Sequence, residues 1–246
     1  MEIKAEKVMP YGGDSRAKGL QVRDMFDSIA PAYDFMNRAM TLGIDRLWRR
    51  RAVSRVAREE PARILDIATG TGDMAIAMAR RMPGAEVEGI DLSEGMVAVG
   101  CRKVERAGLG GRVTLRTGDS MDLPLPDAAV DAVTVAFGVR NFEHLARGYA
   151  EMMRVLRPGG VLWVLELSTP RGRLTAPLYR LYTRTVIPAL GRLVSRDVRA
   201  YSYLPESIAA VPQGADMCAL MLEAGASEAS FRSMTFGACT LYVAKK

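Results

Sequence analysis

Two rhythms of apolar residues alternate along this chain. Short, nearly unbroken apolar runs at residues 63–68, 86–92, 113–119, 129–136 and 161–168 predict strands buried on both faces. Between them, over residues 72–81, 93–107 and 143–156, apolar side chains return every third or fourth place, which predicts helices. Gly108 stands where the second of these helices should stop, and Arg157-Pro158-Gly159-Gly160 predicts a tight turn feeding the fifth strand. Ahead of this alternation, residues 22–34 carry Val22, Met25, Phe26, Ile29 and Ala30 at helical spacing until Pro31 interrupts it. A further helix is expected over residues 45–59, with Leu47, Trp48, Ala52, Val53 and Val56 on one side, while residues 1–20 are polar and expected to be mobile at the tip. At the other end, residues 212–224 predict a helix and residues 227–234 and 239–244 a hairpin.

Strand and helix in strict alternation imply an α/β fold with a mostly parallel sheet covered on both sides. The helices of residues 1–60 then form a cap belonging to the same domain as residues 61–246. Residues 169–211 break the rhythm. There Leu178, Leu181, Tyr182, Val186, Ile187, Leu190 and Val194 make an apolar stripe flanked by arginines. An insertion after the fifth strand lies at the carboxyl edge of the sheet, where ligands bind in such folds, so it is read as a lid.

Composition narrows the setting. With 246 residues the chain can bury a sizeable core, and 49% hydrophobic with 25% charged residues is an ordinary globular balance. No apolar run is long enough to span a bilayer and no charged start leads into an apolar signal core, so a cytoplasmic location is expected. Three scattered cysteines and a single histidine, His144, argue against a disulfide framework and a His/Cys metal site. The formal charge of +6 admits nucleic acid, an anionic membrane surface or plain solubility as its reason. Its arginines crowd two segments: Arg46, Arg49, Arg50, Arg51, Arg55 and Arg58 early, and Arg171 through Arg199 in the insertion.

The chemistry is concentrated at the first strand. Arg63-Ile64-Leu65-Asp66-Ile67-Ala68 breaks into Thr69-Gly70-Thr71-Gly72-Asp73 and then into a helix, the layout of a nucleotide-binding crossover. Glycine there admits backbone angles and close approaches that a β-carbon would block, beside the electropositive start of a helix. A dinucleotide fingerprint would read G-x-G-x-x-G; here the spacing Asp66-x-Ala68-x-Gly70-x-Gly72 resembles motif I of the class I S-adenosyl-L-methionine (SAM) methyltransferases. Asp91, at the end of the second strand and about 20 residues past the glycines, is placed to accept hydrogen bonds from two ribose hydroxyls.

Further phrases carry a closer resemblance. Met25-Phe26-Asp27-Ser28-Ile29-Ala30-Pro31-Ala32-Tyr33-Asp34 with Met36-Asn37, then Phe137-Gly138-Val139-Arg140-Asn141, and Tyr201-Ser202-Tyr203-Leu204-Pro205-Glu206-Ser207-Ile208 are the specific ones. With them the chain resembles the ubiquinone/menaquinone biosynthesis C-methyltransferase family from about residue 21 to its end. It departs from that pattern at Asp45, where many members carry His, and at Ala136, where some carry Ser. The resemblance implies a class I SAM-dependent methyltransferase: a Rossmann-like, mostly parallel seven-stranded sheet with an antiparallel last strand. It implies S-adenosyl-L-methionine as cofactor and a polyprenylated quinol as substrate, demethylmenaquinol in the menaquinone branch or a benzoquinol in the ubiquinone branch.

It also assigns expected roles. Gly70, Thr71 and Gly72 would meet the cofactor, as would Asp91, Met96, Asp119 and Ser120; Tyr33 and Tyr203 would bind substrate. Arg140 and Asn141 would be catalytic, Arg140 by setting fixed positive charge near a quinol oxygen and Asn141 by orienting that oxygen or a water that removes its proton. Glu166 is read as a base or as a structural carboxylate, and His144 as a surface residue at a helix start. A prenyl tail that stays in lipid would demand transient contact with the inner face of a membrane, served by the basic, apolar-striped insertion; a homodimer is compatible with all of this. The rival readings are another small-molecule methyltransferase on the same fold, a SAM-binding module without catalysis, and a nucleic-acid methyltransferase. The last is disfavoured because F-G-V-R-N stands after the fourth strand in place of an acidic-Pro-Pro-aromatic base-flipping loop.

Overall fold

The computed structural model describes residues 3–194 and 199–246. Four helices come first: α1 (Lys4–Lys7), α2 (Lys18–Ile29), α3 (Tyr33–Thr41) and α4 (Ile44–Val56). The alternation follows as β1 (Arg63–Ile67), α5 (Asp73–Arg81), β2 (Glu86–Asp91), α6 (Glu94–Arg106) and β3 (Val113–Thr117). It continues with β4 (Val130–Ala136), α7 (Leu145–Val155) and β5 (Leu156–Leu167). The insertion is helical, α8 (Thr175–Val194) and α9 (Arg199–Ala210), and the chain closes with α10 (Ala215–Glu223), β6 (Glu228–Met234) and β7 (Cys239–Lys245).

The strands form one seven-stranded sheet in the order β3-β2-β1-β4-β5-β7-β6, as the resemblance implies. Only β7 runs against its neighbours; β1 through β5 pair in parallel. Successive residues of a strand point to opposite faces, so Leu65 joins Tyr149, Met152 and Leu162 in one core while Ile64 joins Met78, Val87 and Trp163 in the other. The order of the strands reverses between β1 and β4, and the crevice that opens there at their carboxyl ends is where such sheets bind ligands.

Two local expectations are corrected. Arg157–Gly160 is not a turn ahead of the fifth strand but a bulge inside it: pairing with β4 steps from Val130↔Leu156 to Ala132↔Val161, and Gly159 takes φ of +76° to allow it. The start of the chain is not a mobile tip from Ile3 onward. Ile3 and Ala5 are buried against the core, because a polar stretch with two apolar residues in the right register can still bury them.

Polar ties fasten the cap to the sheet. Asp27 of α2 accepts from Ser93 Oγ (2.6 Å) and from the Gly95 amide (2.9 Å) at the start of α6. Asp34 of α3 accepts from Lys103 Nζ (2.6 Å) and from the Thr71 hydroxyl. The indole N–H of Trp48 reaches Thr235 Oγ1 (2.8 Å) beside the last hairpin. Of the expected stripe on the insertion, Leu178 and Leu181 are exposed, and Tyr182 turns inward to donate to the Met40 carbonyl (2.8 Å). Arg196, and the side chains of Ile187, Leu190 and Val194, lie outside the described residues.

Candidate active site

The turn after β1 is built from left-handed backbone. Ala68, Gly70 and Gly72 have φ of +50°, +56° and +75°. Gly70 has open space where a β-carbon would stand, so its φ, rather than crowding, asks for glycine. Its amide donates to Asp91 Oδ2 (2.7 Å) while the Ser93 amide donates to Oδ1 (2.9 Å), which fixes the carboxylate at the crevice. Burial pushes the Asp91 pKa up, against the pull of these amides. Beneath the turn, burial pushes Asp66 up to about 6, although the hydroxyls of Thr134 and Thr69 (2.6 Å each) work the other way. A β-carbon on Gly138 would come within 2.5 Å of Ala68 Cβ, so the loop after β4 packs on the motif I turn only because both residues are small.

Around this turn lies a strand-end cavity. Gly70, Asp91, Met96, Asp119 and Ser120 line it, with Phe26 and Tyr33 of the cap as its cover. Thr71 and Gly72 do not line it: the Thr71 hydroxyl is committed to Asp34 and accepts from Lys103 Nζ (3.0 Å), and the Gly72 amide bonds the Thr69 carbonyl (2.9 Å). The structure thus brings five of the expected cofactor residues to one cavity and sets the other two, Thr71 and Gly72, one step behind its surface.

A second cavity, of about 250 Å³, lies under the cap and the insertion. Its walls are Met40, Trp48, Phe137, Tyr179, Tyr182 and Ile208, contributed by α3, α4, α8, α9 and the loop after β4. It is strongly apolar, with Asp45, Arg49 and Arg140 as its charged edge. Asp45 and Arg49 are ion-paired, and the Arg49 guanidinium sits 5.0 Å over the Phe137 ring.

The cavities meet at the loop following β4. Tyr33 and Phe137 line both, while Arg140, Asn141 and Tyr203 surround a narrow space between them. Arg140 is buried; its Nη1 contacts Glu166 Oε1 (2.9 Å) and the Phe137 carbonyl, and Phe137 itself is held at φ +63°. Burial would lower the Arg140 pKa, but the Glu166 carboxylate together with Tyr33 and Tyr203 outweighs that and raises it. Glu166 spends its oxygens on Arg140 and on the Leu167 amide (2.8 Å) and lines none of these cavities, so it positions the arginine. Arg140 Nε, Asn141 Oδ1 and the Tyr203 hydroxyl are buried without a hydrogen-bond partner among the described residues. Burial raises the pKa of Tyr33 and Tyr203, which keeps both phenols neutral and able to donate.

A residue that sequence reasoning missed stands behind this loop. Lys18 is buried, and its ammonium donates to the carbonyls of Ala5 (2.6 Å), Arg140 (3.2 Å) and Phe142 (3.2 Å). Burial lowers its pKa to about 8, with Arg140 adding to the effect and Glu6 and Glu143 opposing it. Nothing in the local pattern around Lys18 signals a contact with residue 140. His144 is exposed at the start of α7, as expected, and away from the cavities.

Known proteins resemble the chain along its whole length. The model of the ubiE/COQ5 methyltransferase family matches residues 14–246. A demethylmenaquinone methyltransferase of Bacteroides fragilis is 46% identical over 246 residues, covering 100% of both chains. A ubiquinone/menaquinone biosynthesis C-methyltransferase of Geobacter sulfurreducens is 45% identical over 93% of this chain and 90% of its own. Among solved structures, a putative O-methyltransferase of Nostoc punctiforme superposes with a TM-score of 0.69 at 20% identity, over 98% of this chain and 66% of that one. The [4+2]-cyclase SpnF superposes at 0.62 and 19% identity over 95% and 97%. Those two likenesses concern the fold alone, and their different chemistries show why the site has to carry the functional argument.

Proposed function

The chain belongs to the ubiE/COQ5 methyltransferase family, and we propose that it moves a methyl group from S-adenosyl-L-methionine to a ring carbon of a polyprenylated quinol. A naphthoquinol, demethylmenaquinol, is the proposed ring, in keeping with the name of the relative that matches end to end. The strand-end cavity suits the cofactor. Gly70 offers main chain without a side chain in the way, Asp91 offers a carboxylate for ribose hydroxyls, and Met96 offers an apolar surface for the adenine. Asp119 and Ser120 would hold the adenine edge, and Thr71 and Gly72 would set the shape of the turn from behind. When bound, the cofactor supplies a methyl group already activated by a sulfonium.

What remains for the protein is to make an aromatic carbon electron-rich, align it and keep water away. Arg140, held charged by Glu166, sets a fixed cation where a quinol oxygen would lie and stabilises the phenolate that makes the adjacent ring carbon nucleophilic. Its guanidinium stays protonated throughout and takes up no proton. Asn141 Oδ1 accepts a hydrogen bond from the quinol hydroxyl, or from a water that carries its proton to solvent, while Tyr33 and the Tyr203 hydroxyl donate to the ring oxygens. Trp48, Met40, Tyr179 and Ile208 take the ring's apolar flank and the start of the prenyl tail. No helix among the described residues is long and apolar enough to cross a membrane, so a tail left in lipid calls for a surface contact.

One observation supports this reading above the others. Three buried polar atoms on Arg140, Asn141 and Tyr203, unpartnered among the described residues, lie where the strand-end cavity approaches the apolar one. The test is transfer of radiolabelled methyl from SAM to prenylated naphthoquinol and benzoquinol, each reduced and oxidised. Label should enter the reduced naphthoquinol and not its oxidised form; labelling of no quinol at all would discard the proposal.

A further inference from the structure

The arginines on the outer side of α4 serve neither cavity. Arg50, Arg51 and Arg55 of that helix, with Arg58 in the turn just past its end, face Arg232 of the edge strand β6 across a groove of about 560 Å³. Among the described residues no carboxylate lines this groove. None of the five has an ion pair among the described residues, although arginines elsewhere on the surface do, such as Arg16, Arg154 and Arg157. On the other flank of α4, Arg50 also borders a second groove with Arg38, Arg46, Arg80 and Arg81, where the one carboxylate, Asp73, is taken up by Lys103. Guanidinium groups crowded without counter-charge repel one another, so the arrangement is stabilised by an anionic partner.

The position of the groove suggests which one. Thr235 borders both this groove and the apolar cavity. Next to it Phe236 is 83% exposed, and Leu42 on the cavity rim is 77% exposed. Cations for phosphates, apolar side chains at their margin, and an apolar cavity opening beside both are what a lipid headgroup layer would meet. A nucleic acid would engage the arginines and leave Leu42 and the nearby exposed Leu47 without purpose.

We propose that this face docks the enzyme on anionic phospholipid headgroups: the arginine groove between α4 and β6 holds phosphates while Phe236 and Leu42 enter the layer beside the apolar cavity. The proposal rests on the prenylated-quinol reading for its purpose, but its test needs no quinol. The full-length chain is sedimented with vesicles of phosphatidylglycerol and phosphatidylcholine, and with vesicles of phosphatidylcholine alone, at low and physiological salt. Binding should require phosphatidylglycerol and weaken with salt. The triple variant Arg50→Gln/Arg55→Gln/Arg232→Gln should partition about 100-fold more weakly, each arginine contributing about fivefold. Its thermal melt, and its methylation of a soluble short-chain quinol, should match the parent's. Phe236→Ser should weaken binding with the salt dependence unchanged. Equal binding to neutral vesicles, or binding that the triple variant retains, would overturn the proposal. So would an oligonucleotide that strips the protein from vesicles and is itself held through the same arginines. Failure of quinol methylation alone would strike the proposed function and leave the docking result standing.

Discussion

The two cavities that meet at Arg140 are made in different ways. The strand-end cavity takes its key contacts from main chain and from strand ends: Gly70 at φ +56°, Asp91 fixed by two amides, Asp119 and Ser120 after β3. The apolar cavity has almost no main-chain chemistry. Side chains from four helices, Met40, Trp48, Tyr179 and Ile208 among them, converge from distant parts of the chain. A site built on backbone depends on a few angles and tolerates little change. One built from apolar side chains depends on volume, and can be reshaped by substitution while the sheet beneath it stays the same. That division suits a reaction in which one ligand is fixed and the other varies in ring and tail.

The sharpest way to break this comparison is at the junction, where Arg140 stands on the edge of the apolar cavity and on the narrow space that leads to the other. Arg140→Ala should lower turnover by about 1000-fold while the affinity for SAM changes by no more than about threefold, read from kcat and from calorimetry. It also strands the buried Glu166, so a thermal melt has to accompany the kinetics and Arg140→Ala/Glu166→Gln should recover stability without recovering turnover. A loss of SAM affinity as large as the loss in turnover would put Arg140 on the cofactor side.

A paired test then separates the halves. Asp91→Ala should weaken SAM binding by about 100-fold and leave the KM for quinol nearly unchanged. Leu204→Ala, which removes apolar bulk from the second cavity, should do the reverse on a smaller scale, raising the quinol KM about tenfold with SAM affinity held. Effects of both variants on both ligands would mean that the cavities act as one.

The smallest expected effect on activity, and the one that probes what supports the motif I turn, is Asp66→Asn. Burial holds the Asp66 carboxyl at about 6, above the unfolded value of 3.8, so the folded state favours the protonated form. Its contribution is therefore fully present below the unfolded pKa and is lost as pH rises from about 4 through 6, on the order of 3 kcal/mol. Asn keeps a partner for the Thr69 and Thr134 hydroxyls without a charge to bury. In denaturant titrations the variant should lack that part of the pH dependence and be the more stable protein at pH 7. A parent whose stability is flat between pH 4 and 6 would contradict it.

Much of this molecule is legible in its sequence. Strands show as short, nearly unbroken apolar runs because both of their faces are buried, helices as a period near four because one face is, and the turn after β1 shows because left-handed backbone asks for small residues. The crevice follows from strand order, and with it the approximate positions of Asp91, Asp119 and Arg140. The tertiary structure decided what meets across distance. It turned Thr71 away toward Asp34 and Lys103, gave Arg140 to Glu166, and brought Lys18 to the carbonyls of Ala5 and Arg140. It docked the start of the chain and absorbed Arg157–Gly160 into β5 as a bulge. These outcomes join residues far apart in the chain, and only packing chooses among the partners a buried polar group could accept. A local pattern records that a residue is polar or apolar; the partner that satisfies it is fixed by the fold.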